Sequence, residues 1–163
     1  MLFRQVSRAN DAEQTAADPD VWSCVTVCRS LSMLVVFTMA QIDDLHARFG
    51  RAESLADYLR GLAAIGVSRF DSFVTDGHSE FLGAEGQRVV SPPHHEVLAI
   101  DEVSNRTAFL DHLQRHLDGE TSYVEMSAGL AASGVEKWVA DTTALTMTYF
   151  DRDGAALLVE KVE

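Results

Sequence analysis

A chain of 163 residues and 17.9 kDa has the length of one domain built around a single core. Its 47% hydrophobic and 23% charged residues exclude the fibrous and disordered classes. A formal net charge of -12, with Lys and Arg scattered singly, excludes a phosphate backbone as partner, because nucleic-acid binding needs clustered cations that release counterions.

Residues 1–20 are polar and acidic without a persistent period, which predicts disorder. From Val21 to Met39 the chain turns apolar, but Arg29 and several Ser and Thr interrupt it, so it makes a poor membrane span and no membrane partner is expected. Leu31 to Ala40 has the apolar character of an export signal, yet mixed acidic residues precede it where a short basic region is required. The expectation is therefore an extension over residues 1–38, disordered or upstream of the natural start, followed by one domain over 39–163 that opens at Met39. Cys24 and Cys28 both fall in the extension. A cysteine-free acidic domain fits a reducing cytoplasm.

Ile42, Leu45, Phe49, Ala52, Leu55, Leu59 and Leu62 recur at spacings of three and four, the mark of one helical face. Gly50 breaks or bends the run, Ser54 can cap a second helix, and Gly66 ends it, so one helix and two are both open. Val67–Val74 and Glu80–Leu82 flank Asp76-Gly77, a tight-turn dipeptide, and predict a hairpin. Gly83 and Gly86 frame a further turn before a short strand over Gln87–Val90, and Pro92-Pro93 forces an extended stretch before a buried strand over Val97–Ile100.

Ser104 can cap a helix with the stripe Phe109, Leu110, Leu113 and Leu117, stopped at Gly119. Ser122-x-x-Glu125 is a capping box for a helix that turns Tyr123, Met126 and Leu130 inward and ends at Gly134. Lys137–Asp141, Leu145–Phe150 and Ala155–Val162 alternate with period two and predict a closing three-stranded meander. The fold class is α+β, a mostly antiparallel sheet with packed helices. No internal repeat or low-complexity tract stands out.

Six histidines are the first place to look for chemistry. His112 and His116 stand one helical turn apart, a spacing that lets two imidazoles meet one metal ion, with His94, His95 or Asp101 as further ligands. His95-Glu96 lacks the second histidine of the zinc-protease signature. Asp151, Asp153, Gly154 and Glu160 match part of a calcium loop, but Tyr149 would occupy its first ligand position, so the segment reads as turn chemistry. There is no nucleophile elbow, phosphate loop or dinucleotide fingerprint, and no cofactor is expected. Asp43-Asp44 and Asp101-Glu102 are consecutive carboxylates that point apart. Tyr123, Trp138 and Tyr149 are candidates for an aromatic ligand pocket.

Gly134-Val-Glu-Lys-Trp138, followed by Asp141, Thr146, Tyr149, Asp151, Gly154 and Glu160, resembles the closing segment of the DUF1398 family. His116, Gly119, Thr121 and Tyr123 extend the likeness, which spans Met39 to Glu163. The family has no established activity and is sometimes labelled phage envelope protein-like, which implies a history in mobile elements. Two departures stand out. Met126-Ser127 replaces the Phe-Cys common after the tyrosine, removing a thiol mechanism there, and Lys161-Val-Glu163 replaces a proline-terminated end. The resulting expectation is a cytoplasmic binding or interaction module of prophage ancestry, whose partner is a protein, a second copy or an unidentified small molecule. The alternative is an enzyme in which His116 acts as acid or base with Asp141, Tyr149 or Glu160.

Overall fold

A computed structural model describes residues 36–50 and 54–163. The expected extension lies outside the described residues except for its last three, and so do Cys24, Cys28 and the apolar segment before Leu34. Two residues of that extension belong to the fold. Phe37 is 1% exposed in the core, and the Thr38 hydroxyl accepts from Gln41 N in a capping box, so the boundary lies upstream of Met39.

The periodic stretch forms two helices, α1 over Met39–Phe49 and α2 over Leu55–Ala64. A meander follows with β1 at Val67–Phe73, β2 at Ser79–Gly83 and β3 at Arg88–Val90. Gly77 supplies the positive φ of 77° at the β1–β2 turn, as the Asp-Gly pair requires. Then come α3 at Arg106–Leu117, α4 at Tyr123–Ala132, and a second meander with β4 at Val135–Asp141, β5 at Thr146–Asp151 and β6 at Ala156–Lys161. All six strands pair antiparallel in the order β3-β2-β1-β4-β5-β6, which bears out the α+β class and its closing meander.

Three local expectations are corrected. Val97–Ile100 is not a strand: Val97 is 76% exposed, while Leu98 N donates to Thr75 O and Asp101 N to Ala131 O. Pro92 and Pro93 carry no N–H to continue a ladder, and the segment is tied instead to the β1–β2 turn and to the helix that ends at Ala132. Asn105 rather than Ser104 caps α3, because Ser104 Oγ donates to Asp151 instead. Leu117 lies outside the core at 53% exposed.

The chain is also internally repeated. Its element order is two helices and a three-stranded meander, twice over, with equivalent elements starting 67 or 68 residues apart (Met39 to Arg106, Leu55 to Tyr123, Val67 to Val135). Gly61-Leu-Ala-Ala-Ile-Gly66-Val67-Ser-Arg69-Phe70 stands over Gly129-Leu-Ala-Ala-Ser-Gly134-Val135-Glu-Lys137-Trp138. Both runs end a helix at a positive-φ glycine and enter a strand with a bulge, at Ser68 and at Glu136. At the seam, Asp71 pairs with Val139, its own counterpart, and Val74 N donates to Glu136 O just as Thr142 N donates to Ser68 O. A pseudo-two-fold axis therefore passes between Asp71 and Val139. The repeat is faint in the sequence because the matching run is ten residues long and the flanking helices and turns have diverged.

The helices pack on one face of the sheet. Tyr58 of α2 meets Phe70 edge-on, and Phe109 of α3 lies 5.1 Å from Tyr149 between ring centroids. Phe70, Val74, Phe81, Trp138, Ala140, Met147 and Tyr149 point to this core with Ile42, Leu59, Leu62, Leu113 and Leu130. No described element covers the other face.

Candidate functional site

Among the residues expected to carry chemistry, two meet as partners. The Tyr149 hydroxyl and the Glu160 carboxyl lie near enough to act on each other, since Glu160 on β6 pairs with Met147 and so turns to the helical side. Burial pushes the Tyr149 phenol up, with the Glu160 charge adding to it, and burial also raises the Glu160 carboxyl against the opposing influence of Tyr149. Trp138 lies 6.3 Å from Tyr149, and both are buried, so the aromatic pair is packed core.

The other candidates stand apart. His116 Nδ1 lies 3.0 Å from Thr121 O and ties the end of α3 to the next turn. His112 packs against Gly129, where a Cβ would come within 2.6 Å of its ring. Among the described residues no three His, Cys, Asp or Glu side chains are placed to hold a metal ion. Asp141 Oδ1 accepts from Thr143 N at 2.8 Å and Ala144 N at 2.7 Å, and Asp151 Oδ1 accepts from Asp153 N and Ala155 N, both as turn-forming carboxylates. Tyr123 sits with His94 and His95, whereas Trp138 and Tyr149 meet each other.

The open face holds a constellation that sequence reasoning missed. Cross-strand register puts Arg69, Asp71 and Phe73 of β1 beside Glu80 and Leu82 of β2 and Arg88 and Val90 of β3. The same face carries Lys137, Val139 and Asp141 of β4, Thr146, Thr148 and Phe150 of β5, and Val159 and Lys161 of β6. Asp71 is only 5% exposed at the centre of this face. Lys137 Nζ donates to its Oδ2 at 2.8 Å, while Arg69 Nε lies 2.9 Å from Oδ1 as an ion pair without hydrogen-bond alignment. Two cations over one carboxylate leave the centre positive.

Arg88 clamps Glu80 through two hydrogen bonds, which hold that carboxyl below its usual range. At the rim the His78 ring stacks on Phe73 at 4.6 Å, with Lys137 Nζ 5.4 Å above the Phe73 ring. Burial works against ionising Asp76, but bonds from the His78 side chain and backbone prevail and lower its carboxyl. The alternation Arg69-x-Asp71-x-Phe73 opposite Lys137-x-Val139-x-Asp141 was the available signal, and reading it required the β1–β4 pairing.

The family model of DUF1398, a protein of unknown function, matches residues 43–161. The chain belongs to the DUF1398 family. Its matched span runs from α1 to the last residue of β6, so one DUF1398 unit contains both repeats. No curated protein matches the chain. No helix among the described residues is long and apolar enough to cross a membrane.

Proposed function

We propose that this DUF1398 protein is a cytoplasmic interaction module that binds a protein partner across the open face of its sheet, and that the partner presents carboxylates among apolar side chains. The observation that carries this reading is a local excess of positive charge on an acidic chain. The face combines Arg69, Arg88, Lys137 and Lys161 with three carboxylates, Asp71, Glu80 and Asp141, on a chain whose net charge is -12. Leu82, Val139 and Phe150 lie half-buried between the charges, and Val90 and Val159 are exposed toward the two edges. Apolar side chains set among charges with a net positive balance favour a partner surface of the opposite sign and orient it. The enzymatic alternative rests on Tyr149 and Glu160 alone, and Tyr149 is enclosed in the core.

The test is a photo-crosslinking residue placed at Thr148 or Val159 on the face and at exposed Ala128 on α4 as control, in the full chain inside cells. One adduct of defined mass is expected from both face positions and not from Ala128, weakened by Lys161→Glu. An adduct of twice the chain mass would make the occupant a second copy. Equal labelling from α4, or no adduct from the face, would overturn the reading.

A further inference from the structure

The repeat provides an internal comparison. Equivalent positions keep their character where packing demands it, as Leu62 with Leu130, Val67 with Val135, Phe70 with Trp138 and Phe81 with Tyr149 all show. One corner on the helical side breaks this rule. Where α2 carries Leu55 and Leu59, α4 carries Tyr123 and Ser127 at the same two positions, one turn apart.

Leu59 and Ser127 are both 0% exposed, so a hydroxyl is enclosed where the other half encloses a leucine side chain. Ser127 Oγ has no hydrogen-bond partner among the described residues, and the half-buried Tyr123 hydroxyl lies near enough to be influenced by it. Burying a hydroxyl in place of a leucine forfeits both hydration and packing, so the fold itself has no use for the exchange. Departures of this kind collect at functional sites.

The surroundings supply complementary groups. The His94 and His95 rings lie 6.3 and 6.0 Å from the Tyr123 ring. His95 Nδ1 is 2.8 Å from the Glu96 carbonyl oxygen, which can only accept, so Nδ1 donates to it, and in a neutral ring Nε2 is then the acceptor. That Nε2 is buried and has no hydrogen-bond partner among the described residues. Gly77 permits the ring to lie there, since a Cβ would approach His95 Nε2 to 3.0 Å. A buried acceptor without a partner among the described residues calls for a donor.

We infer that this corner, formed by His95, Tyr123 and Ser127, binds a small uncharged molecule bearing a hydroxyl or primary amide, which donates to His95 Nε2 and accepts from the Tyr123 hydroxyl. Anions are disfavoured because Asp76 stands close enough for its charge to act on Tyr123 and Glu125 holds the start of α4. A cation would meet the donor end of the Tyr123 hydroxyl. The site is separate from the open face of the sheet and does not depend on the role proposed for it.

The experiment is nitrogen NMR of the histidine rings in the full chain, titrated with acetamide and with ethylene glycol. A saturable shift of His95 Nε2 by one of them is expected, with the ring held in the Nδ1–H form, and the response is lost in Ser127→Ala. That variant should melt about 2–4 °C higher than the parent, as expected when a residue kept for binding is replaced by one that suits the core. No response to either compound, an unchanged response in Ser127→Ala, or a His95 Nε2 already bonded to water and indifferent to both would overturn the inference. A lower melting temperature for Ser127→Ala would also overturn it, by making the hydroxyl structural.

Discussion

The two helical glycines of the repeat make an experiment of unusual sharpness, because the same substitution meets different neighbours in each half. A Cβ at Gly61 would come within 2.8 Å of Leu45 Cδ2, the far end of a flexible, half-buried side chain. Turning Leu45 aside costs about 0.5–1.5 kcal/mol, which offsets the roughly 1 kcal/mol that alanine gains over glycine inside a helix. Gly61→Ala should therefore leave stability within about 0.5 kcal/mol of the parent. At Gly129 a Cβ would lie 2.6 Å from His112 Cγ and Nδ1 and 3.1 Å from its Cβ. Those atoms sit at the root of the side chain, so relief requires α3 and α4 to move apart. Overpacking of this kind costs about 1–3 kcal/mol, with the upper part of that range apt when backbone must shift, and subtracting the helical gain leaves a loss of about 1–2 kcal/mol. In thermal unfolding followed by far-ultraviolet circular dichroism, Gly129→Ala should melt about 3–8 °C below Gly61→Ala. Equal melting temperatures for the two variants, or a gain from Gly129→Ala, would refute the helix–helix approach as described.

Gly134→Ala should be more damaging than Gly129→Ala, by denaturant titration, since its φ of 75° disfavours a side chain and a Cβ would lie 2.7 Å from backbone Ser104 Cα. Lys137→Met should cost about 1–2 kcal/mol in urea unfolding: it strips one cation from the buried Asp71, and the half-exposed Arg69 pair retains only part of the compensation. For Glu160 the folded carboxyl titrates above its unfolded value, so the fold binds the proton more tightly and loses stability as pH rises from the unfolded pKa through the folded one. Glu160→Gln should accordingly be more stable than the parent at pH 7 and equal to it at low pH; a parallel pH dependence in both proteins would exclude that burial penalty.

Much of the fold was legible from local rules. The break after Phe49, the capping box at Ser122, the Asp76-Gly77 turn and the last meander each follow from a few neighbouring residues, and each stands where those residues put it. What local rules could not reach was pairing between distant segments. The apolar run Val97–Ile100 has strand composition, but β3 before it is three residues long and two prolines intervene, so no ladder was available to it. The Asp71 cluster was hidden for the same reason: Arg69 and Asp71 meet Lys137 only because β1 lies beside β4.

The repeat also explains why the residues that carry the family likeness are what they are. Of the residues that carry the likeness, Gly134, Val135, Trp138 and Tyr149 have counterparts of the same character in Gly66, Val67, Phe70 and Phe81. A residue type needed at both equivalent positions of a two-fold fold is needed for folding, because the two environments share the packing and little else. Those motif residues therefore describe how a helix ends, how a strand enters the sheet and which ring fills the core, and a site assembled from them falls inside that core. Residues without such a counterpart are different. Tyr123 and Ser127 stand opposite leucines, His112 opposite Leu45, and Glu160 opposite the buried Ser91 that would extend the β2–β3 pairing. Packing did not select them, so they are where chemistry particular to this chain should be sought, and three of these four surround or adjoin α4.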